Sequence, residues 1–406
     1  MNILALTSAY PQIDDGEEVV TPTVKYFCDK WQEAGHNVIV IHNNSSFPAL
    51  FYKVPNSMRH VLSSKMGHNF PTEASRKPLT IVQNGVRVFR LPMVKIVPHT
   101  RFSQRKIERQ VFKIISILKA EKFVPDVIIS HWVNPQLDLI LKLKNIYPVK
   151  VSLVFHGDCS YKKIEQYNLK ESIKKIDAVG CRNESYAQYV KEVLGLKKMP
   201  FICYSGIPDE KADSQLSNIE QIELSEKREY IYVGRLVKYK NVDVIINALN
   251  EIYPSKDFKL HIVGVGAERD NLENLVNELG LRENVVFHGQ VSRDNVFELL
   301  KKCFCFVMVS ENETFGMVYI EAMLAGCITI ASKGGGVDGV IVDGENGFLS
   351  EQGDIISLIR KLQEINNMSE EKRKNLRKRG IRTAYEFKDS NVAQRYLNDV
   401  LTFYND

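Results

Sequence analysis

The sequence lacks several features that would place it in a membrane, secreted or disulfide-bonded class. No run of apolar residues approaches the roughly 20 that a membrane-spanning helix needs. The seven cysteines include no Cys-x-x-Cys pair, and four of them lie in apolar, strand-like segments, namely Cys203, Cys303, Cys305 and Cys327. Such cysteines are typical of buried free thiols in a reducing compartment. We therefore predict a cytoplasmic protein that lies at most on the inner surface of the cell membrane.

The chain also lacks the residue patterns that hold catalytic metals. No Asp-x-Asp triplet occurs in the sequence, and no group of histidines, cysteines and carboxylates has the spacing of metal ligands. We therefore expect no obligatory metal and no other cofactor.

Charge and length exclude further classes. The formal net charge of +5 is too small to indicate a nucleic-acid partner. A chain with 44% hydrophobic and 25% charged residues is globular rather than disordered. Its 406 residues are enough for two α/β domains. Met1 to Ser8 has no basic flank and is too short for a signal peptide, so we predict a buried first strand there.

Strand-like and helical segments alternate in both halves of the chain. The first strand is followed by a helix over Thr23–Ala34 and by a second strand over His36–His42. This order is typical of a doubly wound sheet. The alternation restarts at Tyr230–Val233, after a polar segment, Asp209–Arg228, that suits a linker. The pattern predicts two α/β domains.

The segment from Ser310 to Ala331 predicts a strand, a helix and another strand. A continuous apolar run, Phe304–Val309, precedes it and is typical of a strand buried on both faces. Helical spacing then places four apolar residues on one stripe: Met317, Ile320, Met323 and Leu324. Gly326 ends the helix, and Cys327–Ala331 forms the second strand.

The start of this helix predicts a site for an anion with hydroxyl groups attached to it. Phe315 and Gly316 present backbone N–H groups where the helix begins, at the carboxyl end of a parallel strand. Glu313 and Glu321 flank the same turns and can accept hydrogen bonds from hydroxyls. A nucleotide-sugar carries both kinds of group.

The two glutamates, separated by seven residues, resemble the E-x7-E motif of retaining glycosyltransferase family 4, a group 1 glycosyltransferase family. The residues around the two glutamates also match those usual in this family, namely Ser310, Phe315-Gly316, Glu321-Ala322-Met323 and Gly326. The resemblance implies the α/β GT-B fold, with two Rossmann-like doubly wound domains facing across a cleft. Residues 1–208, with a crossing helix at about 385–406, would then bind the acceptor, and residues 209–384 would bind the nucleotide-sugar.

The resemblance also implies roles for individual residues. Arg235 and Lys240 would bind the donor diphosphate and stabilise the departing nucleotide, which suits the negative charge that develops there. Glu313 would hold the sugar hydroxyls, and His156 would face the donor sugar. Gly16 is either a phosphate-contacting glycine or an ordinary turn glycine. The implied donor contacts are Gly16, Gln290, Val291, Thr314, Phe315, Gly316, Met317, Val318 and Glu321.

Two segments of the first half suggest acceptor or membrane contacts. Asn43–Pro78 is a long irregular insertion that either contributes to an acceptor site or forms a surface loop. A predicted helix over Arg101–Lys122 carries basic residues at every fourth position: Arg101, Arg105, Arg109 and Lys113. This face either lies against anionic lipid or is the solvated side of a packed helix.

The predicted reaction moves a sugar from a nucleoside diphosphate sugar to an acceptor hydroxyl with retained anomeric configuration. The resemblance implies a saccharide or lipid-linked saccharide as acceptor, in the assembly of bacterial cell-surface polysaccharide or glycolipid. A sugar-nucleotide epimerase or phosphorylase of the same fold and a non-catalytic nucleotide-sugar binding protein remain alternatives. An NAD oxidoreductase fits less well, because Gly264-Val265-Gly266 is followed by Arg269 instead of a third glycine.

Overall fold

The chain divides into two compact units. The structure is a computed structural model that describes residues 1–11, 22–48, 77–95, 100–221, 227–311 and 313–403. The first unit contains the described residues up to Arg182, Ala187–Cys203 and those from Ala393 onward. The second contains Asn183–Tyr186 and the described residues from Tyr204 to Val392. Gly16 and most of the insertion at 43–78 lie outside the described residues.

The first unit is built on an eight-stranded sheet. Its strand order is Phe201–Ile202, Ala178–Cys181, Lys150–Val154, Val127–His131, Asn2–Thr7, Asn37–His42, Val86–Arg90 and Leu79–Gln83. All neighbours are parallel except the last pair, which is antiparallel. A separate parallel pair joins Ser45–Ser46 to Met93–Val94. The central strands are buried along almost their whole length, as a sheet covered on both faces requires.

Helices accompany these strands in the order of a doubly wound fold. They are Thr23–Glu33, Gln104–Ala120, Gln136–Lys144, Tyr161–Tyr167, Leu169–Ser172 and Glu184–Leu194, whose first turn belongs to the second unit. The last helix of the chain, Asp389–Thr402, completes the unit from Ala393 onward. It is anchored where the Trp31 indole N–H donates to the Ala393 carbonyl at 2.9 Å, and Tyr396 is buried beside it.

The second unit has a six-stranded, all-parallel sheet. Its strand order is Val285–Gly289, Lys259–Val263, Glu229–Val233, Cys305–Met308, Ile328–Ser332 and Phe348–Ser350. Its helices are Asp209–Ser217, Val242–Ile252, Arg269–Glu278, Arg293–Lys302, Met317–Leu324, Ile355–Asn367 and Glu370–Tyr385, followed by the first turn of Asp389–Thr402. None of the helices in the described ranges is long and apolar enough to cross a membrane.

At the ends of this unit, one prediction was wrong and another was wrong only in where a helix begins. The predicted linker Asp209–Arg228 begins with a helix, Asp209–Ser217, because Ala212 is buried and the Asp209 carboxylate accepts from the Ser390 N–H at 2.9 Å. The helix predicted at about 385–406 is present but begins only at Asp389, and its residues from Ala393 onward belong to the first unit. At its start, the Phe387 carbonyl accepts from the N–H of Ile207 at 2.9 Å, and Asp389 N–H donates to the Ile207 carbonyl at 2.8 Å.

One of the four basic residues predicted to share a helix face, Arg101, lies outside the helix. Arg101 lies before the helix, which begins at Gln104. Its guanidinium donates to both carboxylate oxygens of Asp138, at 3.0 and 2.6 Å. This ion pair ties Arg101 to the helix Gln136–Lys144, so Arg101 does not contribute a free charge to that helix face.

The strands Glu229–Val233 and Lys259–Val263 are neighbours in the second sheet. The loops that follow them begin with Gly234 and Gly264, whose backbones lie close together. Gly234 N–H donates to the Val263 carbonyl at 2.9 Å, and Gly264 N–H donates to the Gly289 carbonyl at 2.8 Å. Gly264 has φ +138°, and a Cβ there would lie 1.9 Å from the Gly234 carbonyl oxygen. A larger residue at 264 would therefore displace the loop that carries Arg235.

Replacing Gly264 with alanine should lower the free energy of unfolding by roughly 2–5 kcal/mol, because overpacking and positive-φ strain add. Denaturant unfolding measures the loss. Gly344→Ala is the matched control, since Gly344 has φ +77° but nothing within 4 Å of its added Cβ. It should lose only about 1–2 kcal/mol from strain. Equal losses for the two variants would contradict the proposed close approach.

Candidate active site

The junction between a buried strand and a helix shapes the site in the second unit. The strand Cys305–Met308 ends, and the helix Met317–Leu324 begins after Gly316, whose φ is +69°. The Tyr319 ring folds under this turn, and its hydroxyl donates to the Met308 carbonyl at 2.8 Å. A Cβ at Gly316 would lie 2.6 Å from that ring, so the turn requires glycine.

An asparagine that the sequence analysis missed holds the loop before this turn. The Asn183 side-chain N–H groups donate to the Thr314 carbonyl and, at 3.4 Å, to the Glu313 carbonyl. Its side-chain oxygen accepts from the Tyr186 N–H at 2.7 Å, which fixes its orientation. The only local signal for this residue is its position just after the strand Ala178–Cys181, where ligand-facing loops begin.

The structure brings two predicted catalytic residues together. Lys240 ends a short 3₁₀ turn, Lys238–Lys240, and its ammonium donates to the Glu313 carboxylate. The Lys240 and Glu313 side chains are only 10% and 16% exposed. Asn241 holds the turn against the neighbouring strand by donating to the Val309 carbonyl at 3.0 Å. A largely buried charge pair of this kind is stable only while both charges stay compensated.

Arg235 lies in the same loop as Lys240 but is exposed. Its guanidinium donates to the Tyr239 hydroxyl at 2.7 Å, and the Tyr232 hydroxyl donates to the Arg235 carbonyl at 2.9 Å. The backbone is therefore fixed, while the cation remains at the surface and accessible to an anionic ligand.

Glu321, the second glutamate of the motif, forms an ion pair with Arg293. Arg293 Nε donates to Glu321 Oε1 at 2.5 Å, and the Glu321 side chain is 14% exposed. Arg293 opens a helix that Ser292 caps by accepting from the Asn295 N–H at 3.4 Å. Gln290 and Val291, two of the implied donor contacts, lie just before this cap, so the Arg293–Glu321 ion pair links their turn to Glu321. Sequence reasoning missed Arg293, since no local pattern connects it to Glu321.

The remaining predicted donor contacts lie where the helix begins. Phe315 is buried, whereas Met317 and Val318 are partly exposed on the first turn. Thr314 is exposed, and its N–H donates to Glu313 Oε1 at 3.2 Å. Of these residues, Thr314 contacts Glu313 directly, and the donor contacts of all four stay a prediction.

In the first unit, His156 belongs to a chain of polar groups. His131 Nδ1 and His156 Nε2 are 2.9 Å apart, and the Tyr396 hydroxyl lies 3.1 Å from His131 Nε2. The Trp132 ring stacks on the His156 ring at a centroid distance of 4.0 Å, with φ +66° at Trp132. Asp158 accepts from the N–H groups of His156 and Val133 at 3.0 and 2.7 Å, which fixes both strand ends.

The two histidines of this hydrogen-bonded network both have a lowered pKa. Burial lowers the pKa of His131 to about 3 and lowers the pKa of His156 well below 6.5, and the nearby Arg182 charge acts in the same direction. Since the His156 Nε2 atom is used by His131, any contact of this ring with a ligand uses its Nδ1 edge. His156 can therefore donate or accept a hydrogen bond there but supplies no positive charge.

Comparison with known proteins assigns the family. Residues 215–383 match the family model of glycosyl transferases group 1. An uncharacterized glycosyltransferase of Methanocaldococcus jannaschii is 30% identical over 271 residues, which cover 64% of this chain and 71% of the relative. The chain belongs to the group 1 glycosyltransferases. N-acetyl-alpha-D-glucosaminyl L-malate synthase of Bacillus anthracis is 27% identical over 70% of this chain and 73% of that protein.

Solved structures agree with this assignment at the level of the fold. The Anabaena HepE protein in complex with UDP and glucose superposes with a TM-score of 0.62 over 99% of this chain and 100% of that chain, at 19% identity. The prediction of the GT-B fold with two Rossmann-like domains is thus confirmed. In this group 1 glycosyltransferase, Arg235, Lys240 and Glu313 lie in loops that follow the carboxyl ends of two strands of the second sheet, and Glu321 lies in the helix Met317–Leu324.

The polar chain around His156 makes a stability prediction. Tyr396→Phe removes the hydroxyl that contacts the buried His131 Nε2, so the free energy of unfolding should fall by about 1–3 kcal/mol, the cost of an unsatisfied buried polar group. Urea unfolding measures the change. Tyr189→Phe is the control, because its hydroxyl donates to the Cys159 carbonyl at 3.2 Å in a half-buried setting, and it should lose about 0.5–1.5 kcal/mol. A fully stable Tyr396→Phe variant would contradict this account.

Proposed function

We propose that this group 1 glycosyltransferase moves a sugar from a nucleoside diphosphate sugar to an acceptor hydroxyl with retention of the anomeric configuration. The observation that carries the proposal is the pairing of Lys240 with Glu313 at the end of a buried strand. A carboxylate and an ammonium held together there match a donor that offers hydroxyls to one and phosphates to the other.

In this proposal the cations act on the leaving group. Cleavage of the bond between the sugar and the diphosphate develops negative charge on a phosphate oxygen, and Arg235 and Lys240 stabilise that charge. Backbone N–H groups at Phe315 and Gly316 add donors at the same place. The positive charge thus comes from the chain itself, so the proposed reaction has no obligatory metal.

The proposed chemistry needs no covalent intermediate with the protein. In this proposal Glu313 and Glu321 both accept hydrogen bonds from donor hydroxyls, so neither carboxylate serves as the nucleophile that a covalent intermediate requires. The acceptor oxygen instead forms a bond to the anomeric carbon on the face from which the diphosphate departs. The electron pair of the broken bond goes to the diphosphate, and the acceptor proton moves to a phosphate oxygen.

The other predicted residues orient the donor. Glu321, held by Arg293, accepts hydrogen bonds from donor hydroxyls, and the Gln290–Val291 turn contacts the base through its backbone. For His156, the proposed contact with the sugar uses the Nδ1 edge of its ring. UDP-sugars are the first donors to test, because the Anabaena structure of the same fold holds UDP and glucose.

Steady-state kinetics with a panel of UDP-sugars test the proposal. Arg235→Ala and Lys240→Ala should lower kcat by about 10²–10³-fold, as loss of a charge-stabilising donor does. Glu321→Ala should raise the KM for the donor by about tenfold with a smaller change in kcat. Lys238→Ala is the control from the same turn, because Lys238 is exposed and pairs with Asp243 at 2.9 Å. It should keep full activity.

The same assay separates this function from its alternatives. Transfer should proceed without added Mg²⁺ or Mn²⁺ and should release the nucleoside diphosphate together with a glycoside of retained configuration. An epimerised sugar from donor alone indicates an epimerase, and turnover of a sugar phosphate without nucleotide indicates a phosphorylase. Unchanged turnover in both Arg235→Ala and Lys240→Ala would refute the site.

The proposal extends to a lipid-linked or polysaccharide acceptor at a cell membrane. The helix Gln104–Ala120 buries one apolar face and exposes basic residues on the other, including Arg105, Arg109 and Lys113. Phe112 lies among them with 71% of its surface exposed. An exposed aromatic residue between cations suits the headgroup region of an anionic membrane.

Vesicle co-sedimentation tests the membrane contact. The protein should bind vesicles that contain phosphatidylglycerol and not vesicles of phosphatidylcholine alone. Arg109→Glu should weaken this binding at least about fivefold, since each basic residue near an anionic surface contributes about 1 kcal/mol. Lys174→Glu makes the same charge change at an exposed lysine outside this helix and should have a smaller effect. Equal effects, or no binding to either vesicle, would contradict the contact.

A further inference from the structure

Three side chains of different chemistry meet near the amino end of the second sheet. Glu229 begins the strand Glu229–Val233, His261 lies in the adjacent strand Lys259–Val263, and Cys303 follows the helix Arg293–Lys302. One ligand atom from each residue lies within 4.8 Å of those of the other two. The cluster lies away from Lys240 and Glu313, which follow the carboxyl ends of the strands.

The orientation of His261 is set by a second histidine. His261 Nδ1 and His288 Nε2 are 2.9 Å apart, and their ring centroids are 5.2 Å apart. The other ring nitrogen, His261 Nε2, lies 3.7 Å from Glu229 Oε2. A metal-binding histidine is commonly held in this way, with one ring nitrogen engaged by an outer partner and the other directed at the ion.

The three residues of the cluster differ in how much of each is exposed to solvent. Cys303 is 2% exposed, whereas the side chains of His261 and Glu229 are 15% and 28% exposed. The imidazole and the carboxylate are therefore partly open to solvent, whereas the cysteine is buried. A backbone hydrogen bond holds Cys303 next to Glu229. The Phe304 N–H donates to the Glu229 carbonyl at 2.7 Å, which places Cys303 beside the start of the strand Glu229–Val233.

The donor set and its dimensions select a class of ion. Zinc binds thiolate sulfur at about 2.3 Å and imidazole nitrogen or carboxylate oxygen at about 2.0–2.2 Å, with tetrahedral geometry. Those bond lengths place neighbouring ligand atoms roughly 3.3–3.6 Å apart. The nitrogen-to-oxygen distance of 3.7 Å is already close to that value. A set of one sulfur, one nitrogen and one oxygen disfavours Mg²⁺ and Ca²⁺, which prefer oxygen alone.

We propose that Glu229, His261 and Cys303 form a binding site for Zn²⁺, with His288 as the outer partner of His261. Water completes the tetrahedron. The ion links two neighbouring strands to the end of a helix, and the site is independent of the proposed transfer reaction. The motif search could not find it, because the three ligands are far apart in the sequence and share no local spacing.

Titration of the purified full chain with Co²⁺, a spectroscopic substitute for Zn²⁺, tests the site under reducing conditions. One equivalent should produce a thiolate-to-cobalt charge-transfer band, and one equivalent of Zn²⁺ should abolish it. Cys303→Ser should lose the band. Cys305→Ser is the matched control, because Cys305 is equally buried two residues further on, and it should keep the band.

Competition with a chromophoric chelator then measures the Zn²⁺ affinity. Glu229 is the most exposed of the three proposed ligands, so its substitution should disturb folding least. The Glu229→Gln variant should bind Zn²⁺ at least tenfold more weakly. His288→Ala should weaken it by about 10–100-fold, the usual effect of losing an outer partner. Circular dichroism checks that each variant is folded. The proposal is overturned if the wild-type protein takes up no stoichiometric Co²⁺ or Zn²⁺, or if the Cys303→Ser variant binds as tightly as the wild type.

Discussion

The parallel pairing of two strands is the constraint on which the proposed donor site depends. Glu229–Val233 and Cys305–Met308 are hydrogen-bonded neighbours, with Tyr230 opposite Cys305. Because they run in the same direction, the loops that leave them open side by side. That geometry brings Lys240 from one loop to Glu313 from the other. An antiparallel pair would send these loops to opposite ends of the sheet, and each charge would lose its partner.

Local patterns predicted the elements around this point well. The strand–helix–strand unit at 304–331 has a continuous apolar run, helical spacing and a terminal glycine, and all three signals lie within a short stretch of sequence. The predicted apolar stripe was nevertheless inexact, because Met317 is partly exposed and Tyr319 and Ala322 are also buried. The helix is covered on more than one side, and a pattern read from one helix cannot show how many neighbours it has.

The parts that could not be predicted all involve distant partners. Asn183 holds the loop at Thr314, and Arg293 pairs with Glu321, although no spacing rule links either pair. The helix Asp209–Ser217 was mistaken for a linker for the same reason. Its hydrophobic content is low, and part of its anchoring comes from the hydrogen bond between Asp209 and the backbone of Ser390. Such contacts exist only after the chain has folded.

The Lys240–Glu313 ion pair bears on how the proposed charged donor would enter a site whose charges are already paired. An isolated carboxylate at 16% exposure would be costly, and Lys240 removes that cost while the site holds no donor. When a diphosphate arrives, it can replace Glu313 as the partner of Lys240, and the freed carboxylate can accept from sugar hydroxyls. A free sugar brings no anion to exchange, so it would leave Lys240 and Glu313 competing with its hydroxyls. In the proposed function, the pairing would therefore favour the whole nucleotide-sugar over its neutral fragment, through an exchange of partners rather than through additional contacts.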